Sequence, residues 1–216
     1  MKIFFQLISW VFLPLLMPIY ALSIAMFLPS VEISFFQENT LFFLDDKNKY
    51  AIHFLFLIFS FVAPALSILL LMKSKTIQTI EMDDKKEREI PIFLTAIYAL
   101  ALALFLLIKA PNSMLPKVIY SLPWGGFFAI IISGFISRYD KISLHAMGVG
   151  MFLAFQFFYY HYQVEYYFEI IVISTLICGL VLSARLYLLK HNPKQIYQGF
   201  FLGFSIMLIT LFLFPH

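Results

Sequence analysis

Long apolar stretches alternate with short polar breaks along the whole of this chain. Seven stretches can be counted: 3–29, 51–72, 91–109, 118–137, 143–163, 167–189 and 196–215. Each is close to the roughly 20 residues with which an α-helix crosses the hydrocarbon core of a bilayer. Inside lipid a spanning segment must satisfy its own backbone hydrogen bonds, which favours helices. The pattern predicts an all-α integral membrane protein, a compact bundle of six to seven transmembrane helices forming one domain over residues 1–216. The stretch after Met1-Lys2 is longer than the about 7–15 apolar residues of a signal peptide. It reads as the first membrane helix, bent at Pro14 and Pro18.

The breaks carry the remaining information. Residues 30–50 include Val31 to Phe43, a mixed apolar and polar run expected to lie along the interface, and 73–90 is the most charged part of the chain. Tyr159, Tyr160, Tyr162, Tyr166 and Tyr167 mark a membrane–water boundary, where rings with a polar tip collect. His161 among them reads as an interfacial residue. With seven spans, the N-terminus and the connections 73–90, 138–142 and 190–195 share one face. The last two flank an out-and-back helix pair, 143–163 and 167–189, so they share a face whatever the number of spans before them.

Composition agrees with this reading. The chain has 216 residues, of which 62% are hydrophobic and 12% charged, where a soluble domain is about 25% charged. A net charge of +3 gives no reason to expect a nucleic-acid partner. Cys178, the single cysteine, permits no internal disulfide and reads as a packing residue. Trp124-Gly125-Gly126 marks a close helix contact or a kink, and His53 and His216 have no evident partners in sequence.

Two polar clusters carry the candidate chemistry. The first is Lys141-Ile142-Ser143-Leu144-His145, opening an apolar stretch shortly after Arg138. Ser143 is placed to cap that helix, whose free N–H groups and positive dipole end suit an anion. The second is Arg185, His191 and Gln195, running from the end of one apolar stretch into the next. A cation within a membrane helix is costly and is by default a functional candidate. His191 and Gln195 share a helical face if the last helix begins early enough. Gly199 and Gly203 then form a small-xxx-small pair that lets that helix pack closely.

These residues resemble the type 2 phosphatidic acid phosphatase superfamily, membrane enzymes with a metal-free histidine mechanism. Ile142-Ser143-Leu144-His145 matches the serine and histidine of the family's Pro-Ser-Gly-His motif. Ala184-Arg185 with His191 and Gln195 keeps the spacing of its Ser-Arg, five residues, His, three residues, Asp motif, with Gln195 in place of the aspartate. The likeness covers about 138–203. For the family's remaining motif, Lys, six residues, Arg-Pro, the nearest counterpart is Lys85-Lys86-Glu87-Arg88 with Pro91.

The resemblance implies that His191 attacks phosphorus and that His145 protonates the leaving alkoxide and then activates water. It implies that Arg185, Lys141, Arg88 and Ser143 hold the phosphate, that Gln195 orients His191 without the charge of an aspartate, and that no metal or other cofactor is used. A lipid-linked phosphate is the expected partner, among membrane lipids: phosphatidate, phosphatidylglycerol phosphate or a polyprenyl phosphate or diphosphate. Rival readings are a non-catalytic protein that binds lipid phosphate or serves a membrane complex, and a small transporter with a histidine proton relay. Asp83-Asp84 invites a magnesium site like that of membrane prenyltransferases, but its charged neighbours read as a solvated loop.

The expected location is the bacterial inner (cytoplasmic) membrane, as a multi-pass protein. The candidate face carries Lys2, Lys73, Lys75, Lys85, Lys86, Arg88, Arg138, Lys141, Arg185, Lys190 and Lys194, the other face Lys47, Lys49, Lys109 and Lys117. By the positive-inside rule that count points the site to the cytoplasm. The resemblance implies the opposite side.

Overall fold

The structure, a computed structural model, describes residues 1–31, 40–79, 82, 86–109, 115–164 and 167–214, with only the backbone of Lys86. Among these, the helices are α1 (Lys2–Val11), α2 (Met17–Phe27), α3 (Asp46–Phe56), α4 (Ala63–Lys73), α5 (Glu89–Lys109), α6 (Val118–Ser137), α7 (Leu144–His161), α8 (Phe168–Tyr187) and α9 (Pro193–Leu213). A short 3-10 turn, Pro14–Leu16, links α1 to α2, and a π-helical turn, Leu57–Val62, makes α3 and α4 one rod. Six rods are long and apolar enough to cross a membrane: Lys2–Phe27, Asp46–Lys73, Glu89–Lys109, Val118–Ser137, Phe168–Tyr187 and Pro193–Leu213. The chain is an all-α, multi-pass membrane bundle.

The remaining helix, α7, has 18 residues and sits at the centre, against α9, α8 and α2. Its neighbours shield it on almost every side, so it tolerates a fully buried Gln156. Around it, α5 packs on α6, α6 on α9, and α1 on α8.

The closest contact is between α7 and α9, and glycines make it possible. A Cβ on Gly199 would run into the Ser143 carbonyl, and one on Gly203 into the Met147 carbonyl. From the other side, a Cβ on Gly150 would strike the Phe200 carbonyl. The small-xxx-small spacing works here as it does in lipid generally, letting two backbones approach within side-chain distance. The pairs run in the same sense along both helices, down to the Phe158–Phe212 ring contact at 5.1 Å. The two helices are therefore parallel, and α8 returns between their ends.

Several sequence expectations shift. Tyr159 and Tyr160 are fully buried rather than at a water boundary. The Tyr159 hydroxyl donates to the Ala25 carbonyl (3.3 Å) and accepts from Leu41 N–H (3.2 Å), and Tyr160 donates to the Ile24 carbonyl (3.3 Å). Both fasten α7 to α2, because a phenol buried in a core needs a partner for its polar tip. His53 has partners that sequence did not reveal: Ser23 Oγ at 3.1 Å and the Lys49 carbonyl at 2.9 Å. Cys178 is a buried packing residue, its Sγ 3.3 Å from the Val149 carbonyl. Gly125 makes the close contact expected of its motif, where a Cβ would come within 2.9 Å of Met207 and Thr210, while Gly126 faces open space. Most of the Val31–Phe43 run, Asp83, Asp84, Lys85, Tyr166 and His216 lie outside the described residues.

Gly203→Ala is expected to destabilise the protein by about 1–3 kcal/mol, the usual cost of overpacking, because the carbonyl in the way belongs to helix backbone. Gly179→Ala, whose Cβ meets nothing within 4 Å, is expected to be neutral or slightly stabilising. Thermal unfolding of the two variants in one detergent compares them directly.

Candidate active site

A cavity of about 550 Å³ opens where α1, α6, α7 and α8 end or begin on one face. Arg88, Lys141, His145, Arg185, Lys190 and His191 line it, and no described lining residue is acidic. Below this end the lining turns apolar and reaches core residues such as Phe56, Leu102 and Met207.

A broken first helix supplies one wall. Pro14 has no N–H, and the chain leaves helical geometry at Phe12 and Leu13. The last carbonyls of α1 therefore lose their i+4 donors and must find others. The Val11 carbonyl accepts from the Tyr20 hydroxyl (2.9 Å), and the Ser9 carbonyl accepts from His145 Nε2 (3.2 Å). That bond fixes the neutral imidazole with its hydrogen on Nε2, leaving the lone pair on Nδ1. Ser9 also lines the cavity, and its buried Oγ has no partner among the described residues. Opposite, Pro64 removes the donor for the Ser60 carbonyl, and the π turn over Leu57–Val62 absorbs the fault while Phe59 and Ser60 face the cavity. Such π bulges commonly occur at functional sites.

His191 lies in the short turn between α8 and α9. Its Nδ1 donates to the Lys141 carbonyl at 3.1 Å, so Nε2 holds the lone pair. Burial and then the Arg185 guanidinium push its pKa down to about 4, against smaller opposing pulls from the Lys141 carbonyl and the Gln195 side chain. The imidazole is neutral at physiological pH.

Gln195 reaches His191 with its side chain, but not from a shared helical face. The helix starts at Pro193, so His191 precedes it and the two residues do not share a face. Gln195 instead forms a capping box with Asn192: its backbone N–H donates to Asn192 Oδ1 at 3.0 Å, and its Oε1 accepts from Asn192 N–H at 3.3 Å. Its Nε2 donates to Asp140 at 2.7 Å. Asp140 in turn pairs with Lys194 at 3.6 Å, and chiefly the Gln195 hydrogen bond holds its carboxyl below the usual range. The tautomer of His191 is thus set by a backbone carbonyl, with the carboxylate one residue further out.

Ser143 is fully buried, caps α7 through Ala146 N–H at 3.4 Å, and does not line the cavity. Its backbone N–H donates to the Gln195 carbonyl at 3.3 Å, joining the two clusters. Arg138 turns outward to Glu89 (3.6 Å). Arg88 is buried against the cavity with Nε donating to the Met82 carbonyl at 2.7 Å. Sequence reasoning missed Asp140, Lys190 and the Ser9 wall. An acid inside the basic run Arg138–Lys141 was the available signal for Asp140, whereas no local pattern links Ser9 to His145. Among the described residues no group of three His, Cys, Asp or Glu is placed to hold a metal ion. No family model, curated protein or solved structure matches the chain.

The depressed pKa of His191 has a clear sign. The unfolded chain binds the proton from about pH 6.5 downward and the folded chain only from about 4, so this group lowers stability progressively as pH falls between those values. In nitrogen-15 histidine NMR spectra, His191 is expected to titrate near pH 4. Arg185→Gln is expected to raise that midpoint by removing the nearby positive charge.

Proposed function

We propose that the protein is a divergent member of the type 2 phosphatidic acid phosphatase superfamily, a lipid phosphate phosphatase working through a phosphohistidine. The observation that carries this reading is the cavity itself: two neutral-tautomer histidines and four cations, with no described acid, above an apolar interior. The location that fits is the bacterial inner membrane.

In the proposed reaction the phosphate enters among Arg88, Arg185, Lys141 and Lys190, whose charges balance the non-bridging oxygens. His191 Nε2 attacks phosphorus, the N–P bond forms, and the bond to the lipid oxygen breaks. His145 Nδ1, whose lone pair first takes up the proton that the phosphate monoester brings in, gives that proton to the departing alkoxide. The imidazolium formed at His191 keeps its Nδ1 hydrogen on the Lys141 carbonyl, a neutral stand-in for the carboxylate found in many histidine pairs. Water then loses a proton to His145 Nδ1 and attacks phosphorus, the N–P bond breaks, and inorganic phosphate leaves with that proton, returning His145 to its neutral form. His191 recovers its starting tautomer.

The engagement of Gln195 with Asn192 and Asp140 favours a second reading, a protein that binds lipid phosphate without turning it over. Phosphate release from a panel of lipid phosphates, in EDTA, separates the two. Release by wild type and its loss in His191→Ala is the expected result, with an acid-labile phosphoryl label on the wild-type chain. Arg185→Gln is expected to slow turnover by about 10²–10³-fold, the usual loss for one electrostatic donor. Lipid phosphate binding with no release from any substrate would establish the second reading.

A further inference from the structure

We infer that the cavity holds the tail of its ligand inside the bundle, and that the ligand is a phosphate or diphosphate ester of a single apolar chain. The inference rests on the proposed phosphate site for its charged end and adds the identity of the other end.

Three observations carry it. The cavity does not stop at the charged face: it continues between residues that are themselves core, Ala21, Phe56, Leu102 and Met207 among them, all at most 3% exposed. The apolar wall runs from the exposed Trp10 and Leu69 inward to this core, so a chain can enter from the side and lie inside the bundle. Its volume, about 550 Å³, lies within the 300–1,000 Å³ or so of single small-ligand sites. That is room for one chain and a head group, not for the two chains of a phosphatidate.

The third observation is Gly126. On α6 the lining residues Leu122, Pro123, Gly126 and Ile130 form one stripe, and Gly126 is at its middle. A Cβ there would meet nothing within 4 Å, whereas one on the adjacent Gly125 would meet Met207 and Thr210 at 2.9 Å. Gly125 serves helix packing, and Gly126 leaves space in the cavity. Eleven residues separate it from Ser137 at the charged end, about 16 Å along the helix. At that depth the absent side chain sets how long a tail fits.

Equilibrium binding to the full-length protein in amphipol tests this with octyl, dodecyl and hexadecyl phosphate. Didodecyl phosphate, dodecyl maltoside and inorganic phosphate complete the set, with phosphate release followed in parallel. Wild type is expected to bind the single-chain phosphates more tightly as the chain lengthens, and each of the other three at least about tenfold more weakly than dodecyl phosphate. Gly126→Leu is expected to lower the hexadecyl-to-octyl affinity ratio about tenfold, the worth of roughly two excluded methylenes. Didodecyl phosphate binding as well as dodecyl phosphate overturns the inference, as does inorganic phosphate binding as well, which identifies a free-phosphate site. An unchanged chain-length ratio in a folded Gly126→Leu also overturns it. If that variant does not fold, the wild-type comparison of one chain with two decides alone. Single-chain phosphates bound but never hydrolysed would remove the phosphatase reading and leave the tail pocket standing. Hydrolysis of two-chain substrates without chain-length preference would do the reverse.

Discussion

Everything at the cationic end depends on backbone touching backbone between α7 and α9. Gly199 lies on the Ser143 carbonyl and Gly203 on the Met147 carbonyl, so the starts of the two helices are locked side by side. Ser143 N–H then reaches the Gln195 carbonyl, and the Lys141 carbonyl reaches His191. In lipid no hydrophobic gain draws helices together, so close packing and polar links must do it. Here both operate at one place, and the polar links are the floor of the candidate site. The capping serine, which sequence placed on a phosphate, and the capping glutamine, which it placed on His191, hold the frame on which the candidate site is built.

The cavity arises from faults placed opposite one another. Two prolines, Pro14 and Pro64, interrupt neighbouring rods, one with a 3-10 turn and the other with a π turn. Each fault frees backbone carbonyls and widens the space between rods. A break of this kind is tolerated inside a membrane where its freed groups are buried in protein or line a cavity. The Ser9 carbonyl shows the return: it orients His145 from a helix far away in sequence.

The apolar segments made the architecture legible, since lipid imposes length and apolarity on any helix it surrounds. The same logic hid the central helix's special status. α7 is surrounded by protein, so its Gln156 and its tyrosines answer to neighbouring helices, and Tyr159 and Tyr160 resemble an interfacial belt only in one dimension. Basic and histidine residues near the ends of segments were legible as a cluster, because short connections keep the ends of adjacent helices together. The roles within the cluster were less so. A spacing of four between His191 and Gln195 implies a shared helical face only inside a helix, and Asn192-Pro193 starts α9 after His191. Asp140 was hidden for the opposite reason: its partners, Gln195 and Lys194, are more than fifty positions away.

The charges of this end are sorted by side. Asp140 and Glu89 take Lys194 and Arg138 on the outside, while Arg88, Arg185, Lys141 and Lys190 line the inside with no described acid among them. Two consequences follow from that one arrangement. An anion entering the cavity meets positive potential in a poorly solvated place, where each interaction is stronger than in water. A proton arriving at His191 meets the same potential and is repelled, which, with burial, keeps Nε2 unprotonated. In the proposed reaction the field that binds phosphate is therefore also what keeps the nucleophile available. An acid placed directly on His191 would strengthen the imidazolium but weaken that field. Setting Asp140 behind Gln195 keeps its negative charge out of the cavity while its hydrogen bond still orders the helix start beside the histidine.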